Sequence, residues 1–421
     1  MVVTPAGRSS GQRDRHALGQ PVLRSIAAVL TAGCNLRCRY CYQNARTPGL
    51  MAWPVLRAGI DRLLDGAENS ASVEFVGGEP CLAFPLIRRG VRYAEASCPA
   101  DCKIGFDLVT NGTLLGPREI AFVAAHDIDL QLSFDGVRPA QDLRGKGTFR
   151  RLDLLLDRLR SEQPHLFRGR LRVAVTLSIP GIPYLAKSIE YLIEKGVSEV
   201  ALSPAVGQGL AWHPGDIDAL DSQFGYIFQS SVRLYEDTGR VPLLMFRKEQ
   251  PDSTHRGHGR LICSAPRGRT LTVDVDGQVY GCPTFAESYQ TFPDTPLRRH
   301  LMAMRLGDIR DPELSNRLKA LPAAAKAAGV FHSKETKYSS YGRCADCRFF
   351  STCLVCPMSV ARDPDHADPS RLPDFLCAFN QIMLKYRERF PRQPTAREIL
   401  TGKAPVPRLA REFLKAVGRG D

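Results

Sequence analysis

The chain has 421 residues, 43% of them hydrophobic and 24% charged, with a formal net charge of +13. That length suits two or three domains with a sizeable core, and the composition is that of an ordinary soluble globular protein. No run of eighteen apolar residues occurs and the first twenty lack the apolar core of an export signal, so a cytoplasmic protein without a membrane span is expected.

The positive charge favours an acidic partner. The basic residues are dispersed, however, and no basic strip interleaved with aromatics stands out, so a nucleic-acid partner is not expected. Thirteen cysteines without an export signal argue against a disulfide framework, since cytosolic thiols stay reduced and an odd number cannot all pair. Metal or cluster ligation explains them better.

After a polar arm (1–23), short apolar runs alternate with amphipathic stretches, the pattern of βα units on a parallel sheet. Strands are predicted at 25–33, 72–78, 104–112, 128–136, 171–179 and 197–206. Helices are predicted at 53–67, 85–96, 149–162 and 185–196. Six such units over 24–232 fall short of the eight that close a full barrel, so a partial barrel is predicted, with its ligands at the carboxyl ends of the strands. A connecting segment (233–262) leads to a cysteine-rich domain (263–385), in which helical periodicity lapses and a hairpin is predicted around Asp276-Gly277. A basic, Pro-punctuated tail (386–421) follows, with one amphipathic stretch at 408–417.

The densest signal is CNLRCRYCY at 34–42, directly after the first strand. Cys34, Cys38 and Cys41 form a C-x3-C-x2-C loop. A structural zinc site takes four ligands, and a four-iron cluster on four cysteines is closed. Three thiolates leave one iron free for a substrate or cofactor. GGEP (77–80), TNG (110–112) and SFDG (133–136) end the next three predicted strands, and Arg144 follows in DLRGKGTF.

These residues resemble the radical S-adenosylmethionine (AdoMet) enzymes. The resemblance implies a [4Fe-4S] cluster on Cys34, Cys38 and Cys41 whose open iron binds AdoMet, and cleavage of AdoMet to a 5′-deoxyadenosyl radical. By the same resemblance Gly77, Gly78, Glu79 and Pro80 form the loop for the AdoMet amino group, with the glycines letting the backbone approach the ligand. Asn111, Ser133 and Arg144 would contact AdoMet, the last two at its ribose or carboxylate, and Tyr40 would border the adenine. A redox sensor or an incomplete zinc knuckle would explain the three thiols but not these flanks.

Seven further cysteines, Cys263, Cys282, Cys344, Cys347, Cys353, Cys356 and Cys377, are similar to the SPASM extension of radical AdoMet enzymes that modify peptides and proteins, implying two auxiliary [4Fe-4S] clusters and three in all. Cys344, Cys347, Cys353 and Cys377 would hold the distal cluster, and Cys263, Cys282 and Cys356 the nearer one. A zinc ribbon on Cys344, Cys347, Cys353 and Cys356 is the competing reading, but it strands the other three. The last pair is spaced x2 where the usual pattern has x3, and the near set shows no fourth cysteine. Cys98 and Cys102 read as structural, and Cys81 stands beside the AdoMet loop.

The resemblance implies a peptide maturase acting on a ribosomally made precursor by side-chain crosslinking, supplied with electrons by a flavodoxin or ferredoxin. The alternative is an anaerobic sulfatase-maturating enzyme. In those an aspartate base follows the cysteine matching Cys282, and here Pro283 does. The residues before the first strand are too few for a winged-helix leader-binding segment, so a separate leader-recognition protein, the barrel mouth or the basic tail is expected to take the precursor. The general base is not identifiable. A non-catalytic electron carrier would have no use for GGEP, and a nucleic-acid-modifying enzyme none for the seven-cysteine domain.

Overall fold

The computed structural model describes residues 23–43, 49–67, 69–205, 212–213, 215–247, 268–289, 305–327, 334–354 and 370–394, with short pieces at 368, 398, 401, 404–410 and 412. Cys263 and Cys356, the polar arm up to 22, the junction at 262–263 and most of the amphipathic stretch 408–417 lie outside the described residues.

The six expected units are present. Strands β1 (Ser25–Val29), β2 (Ser70–Val76), β3 (Lys103–Thr110), β4 (Asp129–Ser133), β5 (Leu171–Leu177) and β6 (Val200–Pro204) alternate with α1 (Trp53–Asp65), α2 (Phe84–Ser97), α3 (Pro117–Ala125), a turn α4 (Arg138–Gln141), α5 (Thr148–Glu162), α6 (Pro164–Gly169) and α7 (Leu185–Glu194), then α8 (Asp216–Thr238). All six strands pair in parallel and in order. The apolar stripe of each helix drives this: in α1, Val55, Leu56, Ile60, Leu63 and Leu64 are buried at helical spacing against the sheet.

The sheet does not stop at β1. The predicted hairpin forms as β7 (Thr270–Val273) and β8 (Gln278–Tyr280) around Gly277, whose φ of +97° suits glycine. β7 then pairs in parallel with the outer edge of β1, and β8 and β9 (Arg305–Asp308) follow antiparallel, giving one nine-stranded sheet. The cysteine-rich region thus starts as an extension of the barrel sheet.

Helices lie on one face. A Cβ added at Gly59 of α1 would meet Ile26 at 3.3 Å and Val273 at 3.5 Å, and one at Gly90 of α2 would meet Phe75 at 3.5 Å. Strand alternation therefore turns Ala27, Glu74, Asp107 and Thr272, which share one row across β7, β1, β2 and β3, to the inner face.

Two expectations need correction. The boundary at 232 falls inside α8, which runs on to Thr238 and stops at Gly239, whose φ of +73° closes the helix with its N–H on the Tyr235 carbonyl. Helical structure also returns after 263, in α9 (Leu314–Ala327) and α10 (Asp374–Arg389); α10 packs on α8 through Phe224 against Phe379 and Tyr386.

Candidate functional site

The three cysteines lie on the loop leaving β1, all half-buried. Thr31 shapes its start: its hydroxyl donates to the Gly49 carbonyl at 2.7 Å and accepts from Gly33 N–H at 3.0 Å. Asn35 anchors the middle, donating to Thr113 Oγ1 at 2.8 Å and accepting from Asn111 Nδ2 at 2.9 Å. Asn111 Nδ2 also stands 3.9 Å from Cys34 Sγ, and Leu36 N–H points at that sulfur from 3.4 Å. Burial pushes the Cys38 thiol up to about 11, with Arg144 opposing and Cys41 and Cys34 adding. Three thiols on one loop are a donor set that fits a cluster with one iron left open.

GGEP is tied to this loop. Gly78 N–H donates to the Thr31 carbonyl at 2.7 Å, Glu79 N–H to the Gly33 carbonyl at 2.9 Å, and Gln43 Nε2 to the Gly77 carbonyl at 3.1 Å. A Cβ on Gly77 would stand 2.5 Å from Thr31 O, and one on Gly78 2.3 Å from Gly33 O. The glycines are therefore required by the close approach of two loops, a reason the sequence reading did not give.

Glu79 is fully buried, and its carboxylate accepts from Cys81 N–H (3.0 Å), Thr110 Oγ1 (2.6 Å) and Asn111 N–H (2.7 Å). Burial pushes its carboxyl up against the pull of these donors. Its side chain joins the ends of β2 and β3 and is fully engaged by the chain.

Arg144 is likewise engaged. It forms a bidentate pair with Asp135, Nη2 to Oδ1 at 2.8 Å and Nε to Oδ2 at 3.3 Å, donates to Thr176 Oγ1 at 3.2 Å and lies 5.5 Å from the Tyr40 ring. Tyr40 donates its hydroxyl to Asp135, and Thr176 N–H donates to the same carboxylate at 2.9 Å. Burial works against the Arg144 charge, but Asp135 and Tyr40 outweigh it and hold the guanidinium protonated. Asp135, Asn35, Gln43 and Thr176 were missed from sequence; Asp135 was visible in SFDG, two places after Ser133. Ser133 ends β4, half-buried, and its hydroxyl makes no hydrogen bond to the described residues.

In the second region Cys344, Cys347, Cys353 and Cys377 line one cavity of about 290 Å³, walled by Phe349, Leu372 and Leu376. The hairpin β10 (Tyr338–Ser339) and β11 (Gly342–Arg343) brings Ser339 Oγ to 3.1 Å from Cys377 Sγ, and Gln381, one turn along α10, brings Nε2 to 3.2 Å. Tyr341 N–H donates to Ser339 Oγ, leaving the Ser339 proton for the sulfur. Four thiols around one cavity are a donor set that fits a four-iron cluster. Cys282 follows β8, half-buried, at the start of the turn Pro283–Phe285.

Cys81 is buried, donates to Thr110 Oγ1 at 3.4 Å and is raised by burial, the state of an inert thiol. Cys98 follows the end of α2 in extended backbone, not on a helix face with Cys102, and donates to the Cys102 carbonyl at 3.3 Å.

A partial parallel barrel with three thiols on its first loop can hold an iron–sulfur cluster with one iron left open at the carboxyl ends of the strands. Residues 28–203 match the family described as the Radical SAM superfamily. The chain is 26% identical over 269 residues to the uncharacterized protein MJ0907 of Methanocaldococcus jannaschii, covering 62% of this chain and 85% of that one. It is 31% identical over 134 residues to the cysteine-type anaerobic sulfatase-maturating enzyme of Clostridium perfringens, covering 30% of this chain and only 36% of that enzyme. The fold is similar to the solved structure of native anSMEcpe with bound AdoMet and Kp18Cys peptide, with a TM-score of 0.65 at 20% identity over 87% of this chain and 97% of that one. No described helix is long and apolar enough to cross a membrane.

Proposed function

We propose that the protein is a radical AdoMet maturase that abstracts hydrogen from a residue of a ribosomally made precursor peptide and forms an intramolecular side-chain crosslink. The observation that carries the reading is the pairing of an open three-cysteine loop on β1 with a second, four-cysteine cavity beyond the barrel. Cys34, Cys38 and Cys41 would hold a cluster that, when bound, would supply the electron for reductive cleavage of AdoMet and so the radical for hydrogen abstraction.

The chain's own residues hold and orient. Cys34, Cys38 and Cys41 present the thiolates; Asn35, Asn111 and Gln43 fix the loop that carries them. The loop 77–80 offers backbone groups to the AdoMet amino end. The Asp135–Arg144–Tyr40 network ties the cysteine loop to the end of β4 and, through Thr176, to β5, so Arg144 acts through Asp135. Ser133 keeps an uncommitted hydroxyl for the ribose. Cys344, Cys347, Cys353 and Cys377 would hold a distal auxiliary cluster, and Cys263, Cys282 and Cys356 the nearer one. A flavodoxin or ferredoxin would supply electrons, and a leader-recognition protein would deliver the peptide.

The overlap with anSMEcpe favours formylglycine formation as a second reading. Pro283 after Cys282 weighs against it, because proline has no side-chain base.

The test is iron and sulfide content of the anaerobically reconstituted protein, with AdoMet cleavage under a low-potential reductant. About twelve irons per chain are expected from three clusters, with cleavage lost in Cys34→Ala. Zinc in place of iron, or iron without cleavage, sinks the reading. Conversion of a sulfatase-derived Cys or Ser peptide to formylglycine would establish the second reading instead.

A further inference from the structure

Three described cysteines belong to neither the barrel loop, the distal cavity nor the nearer set. Cys81 is buried beside Glu79, whereas Cys98 and Cys102 are half-buried at the other end of the barrel. Cys98 follows α2 and Cys102 directly precedes β3, which begins at Lys103. β3 is 8 residues long, and at about 3.3 Å per residue the pair stands about 25 Å from Asn111 and the cysteine loop that Asn111 contacts. A cluster on Cys34, Cys38 and Cys41 is out of its reach.

The connection from Cys98 to Cys102 is folded tightly. Cys102 N–H donates to the Pro99 carbonyl at 3.0 Å and closes a turn over residues 99–102. That turn brings Cys98 Sγ back to 3.3 Å from the Cys102 carbonyl, and Cys102 Sγ lies 3.8 Å from the Lys103 carbonyl. The thiols also act on each other: burial first, then Cys98, then Asp101 push the Cys102 thiol up to about 11. Ala100 and Asp101, at the tip of the turn, are exposed, so a small reagent reaches the pair from solvent. A disulfide asks for Cβ atoms about 3.8 Å apart. With one sulfur already against the backbone of the other cysteine, closing the bond calls for side-chain rotation within the turn.

We infer that Cys98 and Cys102 are a modification site, a dithiol that a hydroperoxide converts to an intramolecular disulfide. One thiolate attacks the peroxide and breaks its O–O bond, giving a sulfenic acid and water. The second thiol attacks that sulfur, the S–S bond forms and a second water leaves. The two thiols thus lose two electrons, which reduce hydrogen peroxide to water. Cys102 holds its proton more strongly and is the second thiol; Cys98 is the first. In a reducing compartment the pair rests as thiols, and the bond marks exposure to an oxidant. The inference holds whatever peptide the enzyme modifies.

Trypsin should release residues 93–103 as one peptide, bounded by Arg92 and Lys103, with these two cysteines and no other. The test treats the reconstituted full-length protein anaerobically with stoichiometric hydrogen peroxide, unfolds it in N-ethylmaleimide and weighs that peptide. It is expected to lose two hydrogens and take no maleimide, and to become doubly labelled again after dithiothreitol. Closure should run at least about tenfold faster than Cys81 is lost to labelling, since Cys81 is buried. In Cys102→Ser, dimedone should label Cys98, and iron content should match that of the unmutated chain. Double labelling that survives peroxide, pairing of either cysteine with a third, dimedone on Cys102 in Cys98→Ser but not on Cys98 in Cys102→Ser, or loss of iron in either variant overturns the site.

Discussion

The two cysteine sites are built on different principles. In the barrel, three thiols come from one loop, and the ends of β2 and β3 clamp it through Gly78, Asn111 and Glu79. In the second region, four thiols converge on a cavity from a turn, a loop and a helix, with Cys377 twenty-four residues beyond Cys353 in sequence. A site at strand ends borrows its rigidity from the sheet. A site made of short pieces depends on the packing of those pieces and on what fills it.

The sharpest test of that contrast is Cys34→Ala. It should remove about four irons and all AdoMet cleavage while leaving the rest of the iron, as read by iron analysis and EPR. Loss of all iron together would mean that the two sites are not independent. Next is Arg144→Met, which strands the Asp135 carboxylate at 3% exposure; it should cost about 3–5 kcal/mol in denaturant unfolding, and Asp135→Asn less. Gly78→Ala, with Gly33 O at 2.3 Å from the new Cβ, should separate the two loops. A loss of about 2 kcal/mol is expected, with poorer iron loading of the barrel site only. The smallest effect is electronic: Ser339→Ala with Gln381→Leu removes two donors from Cys377 and should move one midpoint potential to a more negative value, the barrel cluster staying put.

Contiguous motifs made the barrel site legible. C-x3-C-x2-C, GGEP, TNG and SFDG each sit at the end of a strand or just past it, where the apolar pattern breaks, so sequence order and spatial order coincide. Arg144 was legible as a residue but not as an ion pair, because nothing in the spacing says that Asp135 will claim it. The parallel pairing of β1 with β7 joins residues 245 apart and leaves no local trace. In the second region the cysteines were visible, but α10, which carries Cys377, was overlooked because helical periodicity was taken to lapse there.

The pairing of β1 with β7 also bears on how the chain is made. β1 is complete once residue 29 has left the ribosome, yet its outer neighbour is not available until residue 273. Over that interval β1 offers an unpaired edge, the kind of surface that other strands add to. Closing a contact of such long sequence separation is slow. The nascent chain therefore carries its three-cysteine loop beside an open edge until the hairpin is made.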